Sequence, residues 1–262
     1  MHFLTAIHPL YAVSGLAVGF LVGLTGVGGG SLMTPLLVLL FGIHPTTAVG
    51  TDLLYAAATK TAGTVVHGAN GTVDWRIVGW LALGSVPATI LTLVILAHFG
   101  AQSGAANHVI SLVLGLALIA TAIAILFRRM ILDYFSRRGG ARNAQRTAQF
   151  TVLLGAILGV LVSLSSVGAG AIGVTVLLVL YPSLPANRLV GSDIAHAVPL
   201  TLIAGFGHWL IGSVNLDLLV SLLCGSIPGI VLGSLVATRV PDNVLRPILA
   251  GSLALVGGRL IF

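Results

Sequence analysis

Glutamate is missing from this chain, and charge of either sign is scarce. Six Asp and twelve Lys or Arg make up 7% of 262 residues, against roughly a quarter in an ordinary soluble domain. That is too little charge to coat a water-soluble body of this size. Without Glu no His-Glu-x-x-His metalloprotease helix can be written, and no Gly-x-Ser-x-Gly elbow occurs. The single cysteine, Cys224, excludes a disulfide within the chain and any metal site built from paired cysteines. Met1 to Tyr11 holds no Lys or Arg, so the first apolar stretch does not begin as a cleaved signal peptide does and is expected to belong to the mature protein.

What is present is hydrophobic: 57% of the residues, arranged in long windows. Crossing about 30 Å of hydrocarbon takes roughly 20 apolar residues. Windows of that length run over 46–66, 77–98, 108–127, 189–211, 216–237 and 243–262, and two longer ones cover 10–42 and 149–181. Backbone groups in lipid must be paired internally, and these lengths suit helices rather than barrel strands. The expected fold is therefore an all-α polytopic membrane protein. The formal charge of +6 does not indicate nucleic acid, because half of the basic residues, Arg128, Arg129, Arg137, Arg138, Arg142 and Arg146, fall in one segment. Such a segment marks a cytoplasmic loop.

The chain is duplicated. A shift of 140 to 141 residues lays Val27-Gly28-Gly29-Gly30 on Val167-Gly168-Ala169-Gly170, and Pro45 on Pro185. Val49-Gly50-Thr51-Asp52 then falls on Val190-Gly191-Ser192-Asp193, His67 on His208, Gly71-Thr72-Val73 on Gly212-Ser213-Val214, and Gly84-Ser85-Val86-Pro87 on Gly225-Ser226-Ile227-Pro228. The two repeats are predicted over 1–127 and 149–262, joined by the Arg-rich cytoplasmic loop 128–148.

Glycine runs break helices, and one lies in the middle of the 10–42 window. If 10–42 and 149–181 fold back as hairpins, each repeat makes an odd number of net crossings and the copies are inverted. Counting outward from a cytoplasmic 128–148 loop then puts Arg76, Arg188, Arg239 and Arg246 inside. The turns near 43, 102 and 213, which lack Lys and Arg, fall outside. The prediction is ten helical segments: two inverted repeats, each a broken-helix hairpin plus three transmembrane helices, in the inner membrane with both termini outside. Arg259 near the outer end is left to snorkel.

At these residues the chain resembles the sulfite exporter TauE/SafE family, also called the four-toluene-sulfonate uptake family. The resemblance rests on the Gly-rich break followed by Pro35, the stretch from Pro45 to Asp52, the turn from His67 through Gly71-Thr72-Val73-Asp74-Trp75, and the second copy of each. It covers essentially the whole chain. It implies secondary transport, most simply export, of sulfite, sulfoacetate or another small organosulfonate, with no cofactor. The chain departs from the family pattern by carrying Asp52 and Asp193 where members have a small hydroxyl residue, and by carrying Lys60, which places it in a charged subgroup.

Charged side chains inside a membrane cost about 2.5–3.5 kcal/mol each on insertion scales, so they mark cavities and functions. Asp52, Lys60, Asp193 and His196 are the candidates. The hairpin tips, Gly28, Gly29, Gly30 and Ser31 in one copy and Gly168, Ala169 and Gly170 in the other, each open a helix whose free amides attract anions. Substrate then sits at the midplane between repeats. In this reading the tips and Lys60 hold the anion, while Asp52, Asp193 or His196 takes a coupling proton and Thr51 and Ser192 line the path. The expected partners are a small anion, the bilayer and a proton, with no nucleic acid and no metal; a homo-oligomer is compatible with the sequence.

Plainer readings stand beside these. The glycines also serve close helix packing. Asp52 with Lys60, and Asp193 with His196, also read as mutually satisfied buried groups. His67 and His208 read best as turn hydrogen bonders. His2, His8, His44, His98 and His108 read as chance placements near the membrane edge, and Trp75, Trp80 and Trp209 as interfacial anchors. Among functions, a passive anion channel would use the same tips, an intramembrane aspartyl protease would pair Asp52 with Asp193, and a scaffold would need larger soluble parts than 128–148 supplies.

Overall fold

The computed structural model describes residues 8–25, 30–100, 103–138, 143–236 and 242–261. They form helices α1 (Pro9–Thr25), α2 (Gly30–Leu39), α3 (Pro45–Ala69), α4 (Trp75–Phe99), α5 (Gly104–Leu126), α6 (Arg128–Arg138), α7 (Ala144–Ser165), α8 (Ala171–Leu180), α9 (Ala186–Leu210), α10 (Leu216–Val236) and α11 (Asp242–Ile261), with no strand among the described residues. Helices α4, α5, α7, α9 and α10 are long and apolar enough to cross a membrane. Their outward faces carry unbroken apolar surface, as in Leu83, Ile90, Leu91, Val94 and Ile95 of α4. A soluble monomer does not present such a band to water. The chain is an all-helical, multi-pass membrane protein.

Helix ends follow local chemistry. Asp74 caps α4 by accepting from the amides of Arg76 and Ile77, Ser103 caps α5 and Asn143 caps α7. At the equivalent turns after α3 and α9, Gly71 and Gly212 adopt φ of 65° and 73°, a conformation that a side chain disfavours.

Both long windows fold back. In the first, Tyr11 at the start of α1 meets Phe41 just past α2, with ring centroids 5.0 Å apart. In the second, Thr151 near the start of α7 bonds the hydroxyl of Tyr181, just past α8, at 2.8 Å. These contacts occupy equivalent positions, 140 residues apart. The second tip is an irregular turn of Ser166 to Gly170, with Ser166 left-handed and Gly168 and Gly170 both at φ 123°.

The halves interlock by exchange. A Cβ at Gly15 of α1 would lie 2.3 Å from the Leu222 carbonyl of α10, and one at Gly155 of α7 would lie 2.1 Å from the Leu81 carbonyl of α4. Further along, Gly19 meets Ser226 and Gly159 meets Ser85, so each first helix runs parallel to the other half's fourth. Glycines four apart on these helices let backbones touch. Helices α3 and α9 run antiparallel through the centre: Gly50 meets Ser213 and His208, Leu54 meets Gly205, Ile194 meets Gly63, and Gly191 meets Thr72 and His67. Two equivalent helices that pack antiparallel show that the repeats are inverted.

Contacts also sort the turns into two ends. Arg188 pairs with Asp74 at 3.6 Å, joining the turns before α9 and α4. At the other end Thr46 bonds Asn107, and the Asn215 amide bonds Thr51, joining the turns near 43, 102 and 213. One difference from the expected layout is α6. The segment 128–148 is not a plain loop: residues 128–138 form a helix with Ile131 and Leu132 half-buried and Met130 and Tyr134 outward, and α7 begins at 144. The arginines masked an amphipathic pattern.

Candidate functional site

Asp52 and Asp193 each lie seven residues into their helix, about 10 Å from its start. Because α3 and α9 enter from opposite ends, the two carboxylates are staggered through the bundle, on the order of 15 Å apart along its axis. Both are buried, at 0% and 1% exposure, and Lys60 lies between them at 8%. Of the two carboxylates, Asp193 acts more strongly on Lys60 than Asp52 does, and among the described residues neither forms a direct ion pair with it. A proton-sharing dyad needs two oxygens in contact. The stagger removes the aspartyl protease geometry.

Each carboxylate meets a different environment. The Thr34 hydroxyl of α2 donates to Asp52 Oδ2, and the Ser166 hydroxyl of the second tip faces the same carboxylate. Asp193 has neither kind of partner: both its oxygens are buried without a hydrogen bond. It lies against the start of α8, where the Gly170 amide faces it and a Cβ at Gly173 would come within 2.2 Å of Oδ1. Gly170 carries no side-chain cap for that helix. The tip from Ser166 to Gly170 therefore spans from one carboxylate to the other.

One turn further along each helix comes a second polar pair. His196 Nε2 is 2.8 Å from Ser85 Oγ of α4, and its Nδ1 has no partner. In the other half Tyr55 occupies the position of His196, with Ser226 of α10 beside its hydroxyl. Asp193 and His196 thus share a buried face without bonding each other.

Other predicted residues serve the frame. The Thr51 hydroxyl accepts from the Asn215 amide at 3.1 Å, and Ser192 accepts from the Asp74 amide at 2.8 Å, so each stitches the turn of the opposite repeat. His67 Nδ1 bonds Thr72 at 2.8 Å and His208 Nε2 bonds the Ser163 carbonyl at 2.9 Å. Ala169 packs half-buried against the apolar core. Gly28 and Gly29 lie outside the described residues, as do the side chain of Ser31 and the surroundings of Gly30, which begins α2. Among the described residues no three His, Cys, Asp or Glu converge as metal ligands do.

Thr34, Tyr55, Ser85, Ser166 and Gly173 were not singled out from sequence. For Ser85 a signal existed, since Gly84-Ser85 recurs as Gly225-Ser226, and a duplicated serine inside an apolar helix has a reason to be polar.

Inverted repeats with broken helices, enclosing scarce buried charges at their interface, define a membrane transporter and not an enzyme. The chain belongs to the sulfite exporter TauE/SafE family, whose family model matches residues 11–260. It is similar to the probable membrane transporter protein YjnA of Bacillus subtilis, at 39% identity over 249 residues covering 94% of this chain and 97% of that protein. The probable membrane transporter protein YdhB of the same organism is 30% identical over 256 residues, with 93% and 96% covered. A probable membrane transporter protein of Methanocaldococcus jannaschii, MJ0441, is 27% identical over 270 residues, with 95% and 93% covered. No solved structure matches the chain.

Proposed function

We propose that this transporter is a secondary carrier of a small anion, of the class of sulfite, sulfoacetate and other organosulfonates, with a proton as the coupling ion and export as the direction when the anion accumulates inside. The observation that carries the reading is Lys60, buried between the two carboxylates and, among the described residues, in ion-pair contact with neither, while the irregular tip that starts α8 lies against Asp193. A buried ammonium with no ion-pair partner and an uncapped helix start together suit a negative solute. The inverted repeats supply the motion: rocking one against the other opens the site to each side in turn. The site residues are those of the second tip, Gly168 to Gly170, with Lys60, Asp52, Asp193 and His196, and the equivalent first tip of Gly28 to Ser31.

The orientation follows from charge. The Arg-rich segment holding α6 is assigned to the cytoplasmic face of the inner membrane, with both ends of the chain outside. Sulfur anions are named because the family description and the buried cation agree, and the two extra carboxylates adapt the site to proton coupling. Purified protein in liposomes, loaded with sulfite or sulfoacetate under an imposed pH gradient, tests this. Saturable counterflow that a proton gradient accelerates is expected. Uncoupled flux at channel rates, or no anion flux with either solute, would overturn it.

A further inference from the structure

The second half of the site carries a buried carboxyl group of its own. Asp193 presents its carboxylate to the Gly170 amide at the start of α8, next to Lys60. This is where the amides and the ammonium would receive a solute anion. Both Asp193 oxygens are buried and neither completes a hydrogen bond, the Gly170 amide facing them without bonding, and the absence of a Cβ at Gly173 leaves room for the carboxyl against α8. Asp52, by contrast, has a hydroxyl donor in Thr34 and faces a second in Ser166.

We infer that the Asp193 carboxylate is a resident stand-in for the transported anion, so that solute and ionised Asp193 exclude each other and each anion enters with one proton taken up by Asp193. This rests on the anion-carrier reading above and names its coupling group. The charge sum supports it. With both aspartates ionised, the site sums to −1 against the single Lys60, and an added anion would be repelled. One carboxylate must be neutral before the anion enters. Asp52 accepts a hydrogen bond from Thr34 and Asp193 accepts none, so a proton is the donor that Asp193 lacks. The other groups facing Asp193 are few. Lys60 comes from α3, with Asp52 and Tyr55 further along it and His67, bonded to Thr72, near its end; α8 contributes none; α4 and α7 carry Arg76, His98 and Arg146 only near their ends; and α9 itself supplies His196, engaged with Ser85, with Arg188 paired to Asp74 and His208 bonded to Ser163 toward its ends. The proton moves from bulk water to an Asp193 oxygen, the neutral carboxyl releases the amide and ammonium, and the anion takes its place.

The experiment is equilibrium binding of isethionate to purified protein from about pH 5 to about pH 8, a range in which a sulfonate stays ionised, together with proton uptake in weakly buffered solution. For the wild type, a tenfold loss of affinity per pH unit over the titration range of the group and one proton taken up per anion are expected. Asp193→Asn is expected to bind with no pH slope and no proton uptake. A flat wild-type profile, or a slope that persists in Asp193→Asn, overturns the inference. If that slope is instead lost in His196→Gln, the proton belongs to the histidine and the inference is equally overturned. The proton count on wild-type protein decides the matter even if a variant misfolds. Absence of isethionate and sulfite binding to the wild type at every pH removes the carrier reading itself, an outcome distinct from binding that is merely indifferent to pH.

Discussion

The two halves of this transporter share a frame and differ at four positions that matter. Thr34 stands where the second half has Val174, Met33 where it has Gly173, Tyr55 where it has His196, and Lys60 where it has Thr201. The frame is conserved between the halves down to individual contacts, such as Thr51 with Asn215 and Ser192 with Asp74. Chemistry is not. One half holds its carboxylate with a hydroxyl donor, and the other leaves its carboxylate unbonded beside a glycine and an imidazole. Duplication supplied the cavity, and divergence assigned its two ends different work.

Substitutions that erase or move these differences sharpen the comparison. The largest effect is expected for Lys60→Met. Removing the lysine takes away the charge that offsets the two carboxylates and the incoming anion, and transport should fall on the order of 100-fold, about 2.7 kcal/mol in the barrier. Thr201→Lys added to that variant, which moves the cation to the equivalent place in the other half, should leave proteoliposome transport lost; full rescue would show the halves to be interchangeable.

Next come the crossings. A Cβ at Gly84 would lie 1.9 Å from the Val152 carbonyl, and one at Gly225 would lie 1.8 Å from the Ala12 carbonyl. Backbone cannot yield cheaply there, so each Gly→Ala should cost about 1–3 kcal/mol or more. Thermal unfolding in detergent should show the two losses to be similar and additive, because the sites share no contacts.

Gly173→Ala should behave differently. The atom it meets is the free end of the Asp193 side chain, which can swing aside. Melting close to wild type with a roughly tenfold change in transport is expected, about 1.4 kcal/mol in the transport barrier. A stability loss as large as that of Gly84→Ala would contradict the assignment. The smallest effect is reserved for Thr34→Val, which makes the first half resemble the second. Losing one hydrogen bond inside a membrane protein costs about 1 kcal/mol, and transport should fall less than in the other variants.

Much of this was legible in the chain. The windows at 77–98 and 189–211 fall within three residues of α4 and α9 at each end, because lipid demands long apolar runs whatever they pack against. The inversion followed from a glycine run and the placement of arginines. Partners were not legible. That Ser85 reaches His196, or that Ser166 faces Asp52, depends on how α3, α4, α7 and α9 cross, and crossing is set by surface shape rather than by spacing along one helix. The four-residue glycine spacings at Gly15 and Gly19, Gly155 and Gly159, and Gly225 and Gly229 announced tight helix pairs without saying which. Helix α6 was hidden for a simpler reason: its arginines outweighed its apolar face in a window average.

The exchange of first helices has a consequence for biosynthesis. Helix α1 leaves the ribosome well before α10, since the surface it is shaped for begins at Leu216, after a further 190 residues counted from Gly26 to Asn215. At translation speeds of about 5–20 residues per second, α1 stays in the bilayer for about ten seconds or more with its glycine face turned to lipid. The nascent first half is thus an unfinished object, and an insertase or chaperone that shelters small-residue helix faces has its longest window of action on this one.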